Sequence, residues 1–326
     1  MNRRDLIKLG LTAIASAAIP KSAFAAYTDR TIRLVIPFSA GGATDVVGRM
    51  WAERMKAKVG TVIPDNKGGG GGVIGALEVA RATPDGLTFL FGNSSTQVLI
   101  PAIADKPPYD PVKDFQAVYI MAISPTSIVV HESVPVKTLK EFIDYAKANP
   151  DKLSYGSAGA GTMTNLSGEL FKQLIGVPSI THIPYKGAAP GITDLASGHI
   201  PMMTPNVGGP LLQFHRTGKV RILAVAAKKR LQAAPDIPTA EEAGLPGMVA
   251  ANFNGLFAPA GVPKDIIDLI ATETRTAMAD KALQDQMITS GFEPVLDSGP
   301  EAAQREVSSE LARWTPIVKS LGFKVQ

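Results

Sequence analysis

A short apolar strand, a turn of small residues and a helix follow one another repeatedly along this chain, and that alternation limits the possible folds more than any other feature. Thr31-Ile32-Arg33-Leu34-Val35-Ile36 stops at Pro37, and Gly41-Gly42 opens a helix predicted from Ala43 to about Lys58. Thr61-Val62-Ile63 leads into Lys67 and the five glycines Gly68 to Gly72, before a helix from Val73 to Ala82; Leu87 to Gly92 is the next strand. The pattern resumes at Ser127-Ile128-Val129-Val130, with Thr138-Leu139-Lys140-Glu141 as a capping box for a helix to about Ala148. It continues through Leu153 to Gly156, a helix to Ile175, Ile180 to Ile183, a helix from Gly187 to Ser197, the short run Ile200 to Met203, and Val220 to Ala226. After Phe253 to Ala258 the chain closes with helices at Lys264–Ala279, Lys281–Ser290 and Pro300–Leu321. Strands alternating with helices read as an α/β architecture. A chain of 326 residues that is 45% hydrophobic can build two lobes. The expected organisation is an amino-terminal lobe joined to the carboxyl-terminal helices, with a middle lobe inserted and two chain crossings as the hinge.

The first residues read as an address. Arg3-Arg4 precede a mild apolar run from Leu9 to Ile19, and Ser22-Ala23-Phe24-Ala25-Ala26 supplies small residues for cleavage, so residues 1–25 are expected to be a signal peptide. The run is well short of the roughly 20 residues that span a bilayer. The arginine pair followed by Leu6 and Lys8, with Lys21 near the cleavage site, points to the twin-arginine route into the periplasm. Removing that segment leaves 29 basic against 28 acidic side chains, so the net charge of +4 belongs mostly to the leader. A nearly neutral mature chain without a Lys/Arg cluster is not a nucleic-acid binder. There is no cysteine, hence no disulfide or thiolate chemistry. The four histidines, His131, His182, His199 and His215, are scattered singly, so neither a metal site nor a cofactor is expected.

Three glycine turns could cradle an anion. Gly70 to Gly75 formally satisfies G-x-G-x-x-G, but it does not follow the first strand of its unit, and the next strand runs into Asn93 where a dinucleotide site needs an acid. No glycine run continues into Gly-Lys-Ser/Thr. The turns Ser39-Ala40-Gly41-Gly42-Ala43-Thr44 and Ser157-Ala158-Gly159-Ala160-Gly161-Thr162 each join a strand to the start of a helix, where free N–H groups and a partial positive charge face outward. Facing one another across a cleft, they would clamp a dicarboxylate without arginine; taken singly, each is also an ordinary capped strand-to-helix turn. Asn93-Ser94-Ser95-Thr96 lies at a strand's carboxyl end, where open α/β sheets bind ligands. Asp45 in a first helical turn suits the helix dipole, or an ammonium on a ligand. Ser157 is not set in G-x-S-x-G, and no H-E-x-x-H occurs, so an enzyme is not expected.

Seven segments in order resemble the signatures of one family. They are Pro37 to Asp45, Asn66 to Gly75, Thr83-Pro84-Asp85-Gly86-Leu87-Thr88, Pro108 to Phe115, His182-Ile183-Pro184-Tyr185-Lys186-Gly187, Asp236-Ile237-Pro238-Thr239 and Ala258-Pro259-Ala260-Gly261. Together they are similar to the Bug-type extracytoplasmic receptors of tripartite tricarboxylate transporters. The resemblance implies an α/β, two-lobed, type II-like periplasmic binding protein that closes like a Venus flytrap, with residues 26–127 plus 254–326 as one lobe and 128–253 as the other. It implies a small mono- or dicarboxylate as ligand and membrane permease subunits as partners. The same receptor could instead signal to a sensor kinase, and a periplasmic α/β enzyme acting on an acid is a third reading. A monomer is expected. The ligand-contacting positions the resemblance implies are Phe38, Ser39, Ala40, Gly41, Gly42, Ala43, Thr44 and Asp45, and Ser157, Ala158, Gly159, Ala160, Gly161, Thr162 and Thr164. Asn93, Ser94, Ser95, Lys186, Thr204, Asn206 and Asn254 are further candidates. Three departures bear on ligand identity: Ser39-Ala40 replaces a proline-rich pair, Asn165 stands where a histidine is common, and Asn252-Phe253-Asn254 replaces a tryptophan-containing segment.

Overall fold

The structure is a computed structural model and describes residues 30–320; the expected leader lies outside the described residues. In chain order the elements are β1 (Ile32–Ile36), α1 (Ala43–Val59), β2 (Val62–Asn66), α2 (Val73–Ala80), β3 (Thr88–Asn93), a π-type turn at Ser95–Leu99, α3 (Ile100–Ile103), β4 (Phe115–Pro125) and β5 (Ser127–His131). Then follow α4 (Leu139–Ala148), β6 (Ser154–Ser157), α5 (Met163–Ile175), β7 (Thr181–Pro184), α6 (Ala188–Ala196), β8 (Met202–Met203), α7 (Gly209–Arg216) and β9 (Val220–Val225). The chain ends with β10 (Ala251–Pro259), α8 (Lys264–Met278), α9 (Lys281–Thr289), β11 (Glu293–Pro294) and α10 (Pro300–Ser320).

Two sheets result. The first runs β11-β4-β10-β3-β1-β2 and the second β7-β6-β8-β5-β9. Each has a parallel three-strand unit in the order second, first, third, and each continues into an antiparallel strand, β10 in one and β5 in the other. In both units β-α-β connections put the helix amino termini at the carboxyl ends of the strands, where such sheets bind ligands.

Local chemistry explains the element ends. Thr138 Oγ1 accepts from Glu141 N–H at 3.2 Å and the Glu141 carboxylate turns back onto Lys137 N–H at 2.6 Å, so the capping pair does open α4. Thr162 caps α5 in the same way, and Gly176, at φ 73°, ends it in the left-handed conformation that glycine adopts without strain. Residues 209–216, not anticipated as a helix, form α7 with Pro210 in its first turn, where a missing N–H costs nothing.

The core is laid down on both faces of the sheets. α1, α8 and α9 cover one face of the first sheet with Val47, Trp51, Met55, Ile270 and Met287, and α6 and α7 cover one face of the second with Ile192, Leu195 and Leu211. The opposite faces share a continuous apolar cluster that passes from Leu90 and Phe257 through Phe253, Ala250 and Met248 to Phe142 and Phe171. Each such fully buried large side chain contributes roughly 1.5–3 kcal/mol.

The chain leaves the first sheet at Pro125 and enters the second at Ser127, with only Thr126 between them. It returns after Val225 through residues 226–250. The two passages are tied together: Thr126 N–H donates to Ala250 O at 2.9 Å, Ala226 N–H to Thr126 O at 2.8 Å, and Ala250 N–H to Ala226 O at 3.0 Å. Thr126 Oγ1 also lies 2.7 Å from Ser167 Oγ.

Candidate ligand-binding cleft

The turn after β1 brings the amino terminus of α1 to the space between the sheets. Its N-cap is Gly42, which offers no side chain to meet the first-turn N–H groups. Two other helices present themselves at the same place, each also capped by a glycine without a side-chain hydrogen bond: α6 at Gly187 and α7 at Gly208. A Cβ on Gly42 would lie 4.0 Å from Ala188 N, one on Gly41 3.6 Å from Ala189 Cβ, and one on Gly208 3.8 Å from Ala43 Cβ. Gly187, at φ 155°, packs so tightly on the Ser39 backbone and hydroxyl that any side chain would collide. Three helix amino termini therefore converge, and their partial positive charges add in a place shielded from water. Ser39 Oγ is buried beside them with no hydrogen-bond partner. The segments 38–45, 187–189 and 206–209 contain no lysine or arginine, and their single acid is Asp45.

Beneath the α1 terminus lies a floor of neutral polar side chains. Asn93 Nδ2 donates to Thr44 Oγ1 at 2.9 Å, Thr44 Oγ1 donates to Asn254 Oδ1 at 2.9 Å, and Asn254 Nδ2 reaches Ser124 Oγ at 3.4 Å. Asn93 Oδ1 accepts from Ser95 N–H at 2.9 Å, and Ser94 Oγ accepts from Phe253 N–H at 2.9 Å. Asn206 Nδ2 donates to Ser124 O at 2.9 Å and joins this floor to the second sheet. Thr204 Oγ1 donates to Thr164 O at 2.7 Å. Asp45 is buried, but its carboxylate is taken up by Arg49 Nε at 2.9 Å and by Gly41 N–H and Asn66 Nδ2, each at 2.8 Å. It shapes the turn and leaves no charge to a ligand.

The second glycine turn is arranged differently. Its N–H groups are largely met from within: Ala158 N–H by Thr164 Oγ1 at 2.8 Å, Gly159 N–H by Ser157 Oγ at 3.1 Å, Gly161 N–H by Asn165 Oδ1 at 3.0 Å. Met163 N–H is met across the cleft by Ser95 Oγ at 3.0 Å. What this turn offers the first sheet's side is shape. A Cβ on Gly71 would collide with Ala160 O, one on Gly159 would lie 3.3 Å from Gly71 Cα, and one on Gly68 2.7 Å from Lys186 O. The glycine run 68–72 is therefore a contact strip against the other lobe's turns. Ser157 Oγ is 2.7 Å from His182 Nε2, a spacing a nucleophile and its base would have, yet the hydroxyl is fully buried and shared with the backbone of Gly159. Burial pushes His182 down to about 4, against a partial upward pull from Glu169. The ring is neutral at neutral pH and is hydrogen-bonded to Ser157.

Among the residues expected at the site, Phe38, Gly42, Thr44, Asp45, Asn93, Ser94, Ser95, Ser157, Ala158, Gly159, Gly161, Thr162, Thr164, Thr204, Asn206 and Asn254 are buried about the contact between the sheets; Ser39, Ala43 and Ala160 are partly so. Ala40 and Gly41 reach solvent, and Lys186 is exposed, contributing its backbone to the contact with Gly68. Sequence reasoning anticipated the helix at Gly187 but did not place its start at the site; it missed α7 altogether, and it did not name Ser124 or Asn252 as site residues. The available signals were Lys186-Gly187-Ala188 and Gly208-Gly209-Pro210, small residues opening a helix after an extended run, as at Gly41-Gly42.

The chain matches the model of the tripartite tricarboxylate transporter family receptor over residues 47–323. It is similar to the periplasmic binding protein BugD, at 34% identity and a TM-score of 0.87 over 92% of this chain and 100% of that one. MatC of Rhodopseudomonas palustris, solved with bound malate, is 32% identical with a TM-score of 0.84, covering 89% of this chain and 99% of its own. A second R. palustris protein, solved with adipate, is 35% identical with a TM-score of 0.85, covering 90% and 98%. No helix among the described residues is long and apolar enough to cross a membrane. With two sheets of like topology, a double crossing between them and a match that spans most of its length, this chain belongs to the Bug-type receptors of the tripartite tricarboxylate transporter family.

Proposed function

We propose that the protein is a periplasmic receptor that captures a small mono- or dicarboxylate between its two lobes and delivers it to the permease of a tripartite transporter. The observation that carries this reading is the meeting of three uncapped helix amino termini, those of α1, α6 and α7, at a buried and unpaired Ser39 hydroxyl. Such an arrangement offers donors and positive potential to a carboxylate with no basic side chain in the segments that form it. One relative carries malate and another adipate, which supports a carboxylate here too. A ligand of high negative charge fits poorly, because backbone dipoles alone would have to balance it. The lobes divide at Thr126 and in the return segment, and the polar tie between Thr126, Ala226 and Ala250 is the hinge. Residues 1–25 direct export by the twin-arginine route, and the protein works as a monomer.

The test is calorimetry on residues 26–326, freed of co-purified ligand, against aliphatic mono- and dicarboxylates, aromatic carboxylates and acidic amino acids. Saturable binding of a carboxylate with a raised melting temperature is expected, since a ligand bound only to the native state must stabilise it. Binding of none of these acids, or of an uncharged solute in their place, would sink the reading.

A further inference from the structure

The floor of the cleft contains an acceptor with no hydrogen-bond partner among the described residues. Ser124 O can only accept, so the group Asn206 turns toward it at 2.9 Å must be its amide nitrogen. That leaves Asn206 Oδ1 facing Asn252, whose own nitrogen must then be the donor, at 3.1 Å. The remaining atom, Asn252 Oδ1, is buried without a partner. An isolated buried amide oxygen costs about 1–3 kcal/mol, so its persistence needs a reason.

Its position supplies one. Asn252 and Asn254 are two apart on β10, in a stretch paired regularly with β4 (Asn252 opposite Ser124, Asn254 opposite Ala122), so their side chains share a face. Asn254 on that face holds Thr44 in the first turn of α1. Asn206, the partner of Asn252, is two residues before Gly208, the N-cap of α7 that abuts Ala43. The unpaired oxygen thus lies in the same polar floor as the anion-binding termini, on the side nearer the crossing at Thr126.

We infer that Asn252 Oδ1 is a specificity acceptor, and that the ligand is a carboxylate bearing a hydroxyl group. This inference rests on the carboxylate-receptor reading and narrows it. A hydroxyl supplies a neutral donor. An ammonium would bring a full charge, and Asp45, the only buried carboxylate among the described residues, is already held by Arg49, Asn66 and Gly41 N–H. The side chains recorded in that floor, Asn206, Asn254, Ser124 and Thr44, are all neutral, so a hydroxy acid is matched and an amino acid is not.

The experiment is calorimetry with matched pairs that differ by one hydroxyl: succinate with malate, glutarate with 2-hydroxyglutarate, and benzoate with 4-hydroxybenzoate. The wild-type protein should bind the hydroxylated member of at least one pair about 10-fold or more tightly, because a site built to pair with a hydroxyl rejects an analogue lacking it. In Asn252→Ala that ratio should fall toward one. Asn252→Asp keeps the shape of the side chain, guards against a folding defect in the alanine variant, and should shift preference toward acidic amino acids. Equal affinities within every pair, or a ratio untouched by both substitutions, overturns the role of Asn252 while leaving the carboxylate receptor standing. Failure of every acid to bind overturns both.

Discussion

Asp45, which in the sequence could pair with an ammonium, and His182, which the structure sets 2.7 Å from Ser157 Oγ, both prove to be parts of the scaffold. Asp45 is consumed by Arg49, Asn66 and the Gly41 N–H, fixing the turn that aims α1. His182 stacks on Tyr155 with ring centroids 4.8 Å apart and is hydrogen-bonded to Ser157, so it braces the second glycine turn in its neutral form. The charged groups facing it are Glu169, which also accepts from Tyr155 Oη at 2.5 Å, and Lys172. Burial holds its pKa at about 4, below an unfolded value of 6.5. Between those two values the unfolded chain binds more protons, so this contribution to stability is complete above pH 6.5 and is lost as pH falls toward 4. Melting temperature should therefore decline across that window, and His182→Gln should flatten the decline. An unaltered slope in the variant would show that the ring is not the group responsible.

Between elements, two contacts decide behaviour. Trp51 on α1 donates from Nε1 to Thr274 Oγ1 on α8 at 2.9 Å, with both residues buried. Thr274→Val preserves volume but strands the indole N–H, and should lower the unfolding free energy by about 1–3 kcal/mol in a urea titration. The second contact is the approach of the glycine run to the turn before α5. Gly71 has φ 67° and faces Ala160 O with no room for a methyl group. Gly71→Ala should weaken carboxylate binding by about 10-fold or more, since the closed form loses both its local backbone conformation and its fit. Calorimetry reads the loss, and an affinity equal to that of the wild type would remove this strip from closure. The sequence offers five glycines in a row and a formal nucleotide fingerprint. The structure accounts for Gly68 and Gly71 by close approach of the other sheet's backbone, and no phosphate is required.

For the whole molecule, the contacts of Ser95 with Met163, Gly41 with Ala189 and Gly208 with Ala43 describe the two sheets drawn together about the tie at Thr126. A ligand that bridges them favours this arrangement only by its differential affinity for it. Small-angle scattering should show the radius of gyration of the mature protein falling when a bound carboxylate saturates it; an unchanged value with binding proven would mean capture without closure. The α/β character, nearly every strand and helix, and the glycine turn that opens α1 were legible along the chain, because strand and helix periodicities and cap residues act over a few neighbours. α7 escaped notice because it is only two turns long and opens on Gly208-Gly209-Pro210, which locally reads as a turn. The sequence by itself determined the units and the neutral, small-residue character of the site. Only the tertiary structure decided which helix starts meet α1, that most of the second turn's amides are met by its own side chains, and that Asn252 Oδ1 is left without a partner. Those outcomes depend on distances between residues as far apart as Ala43 and Gly208, or Asn206 and Asn252, which local sequence does not encode.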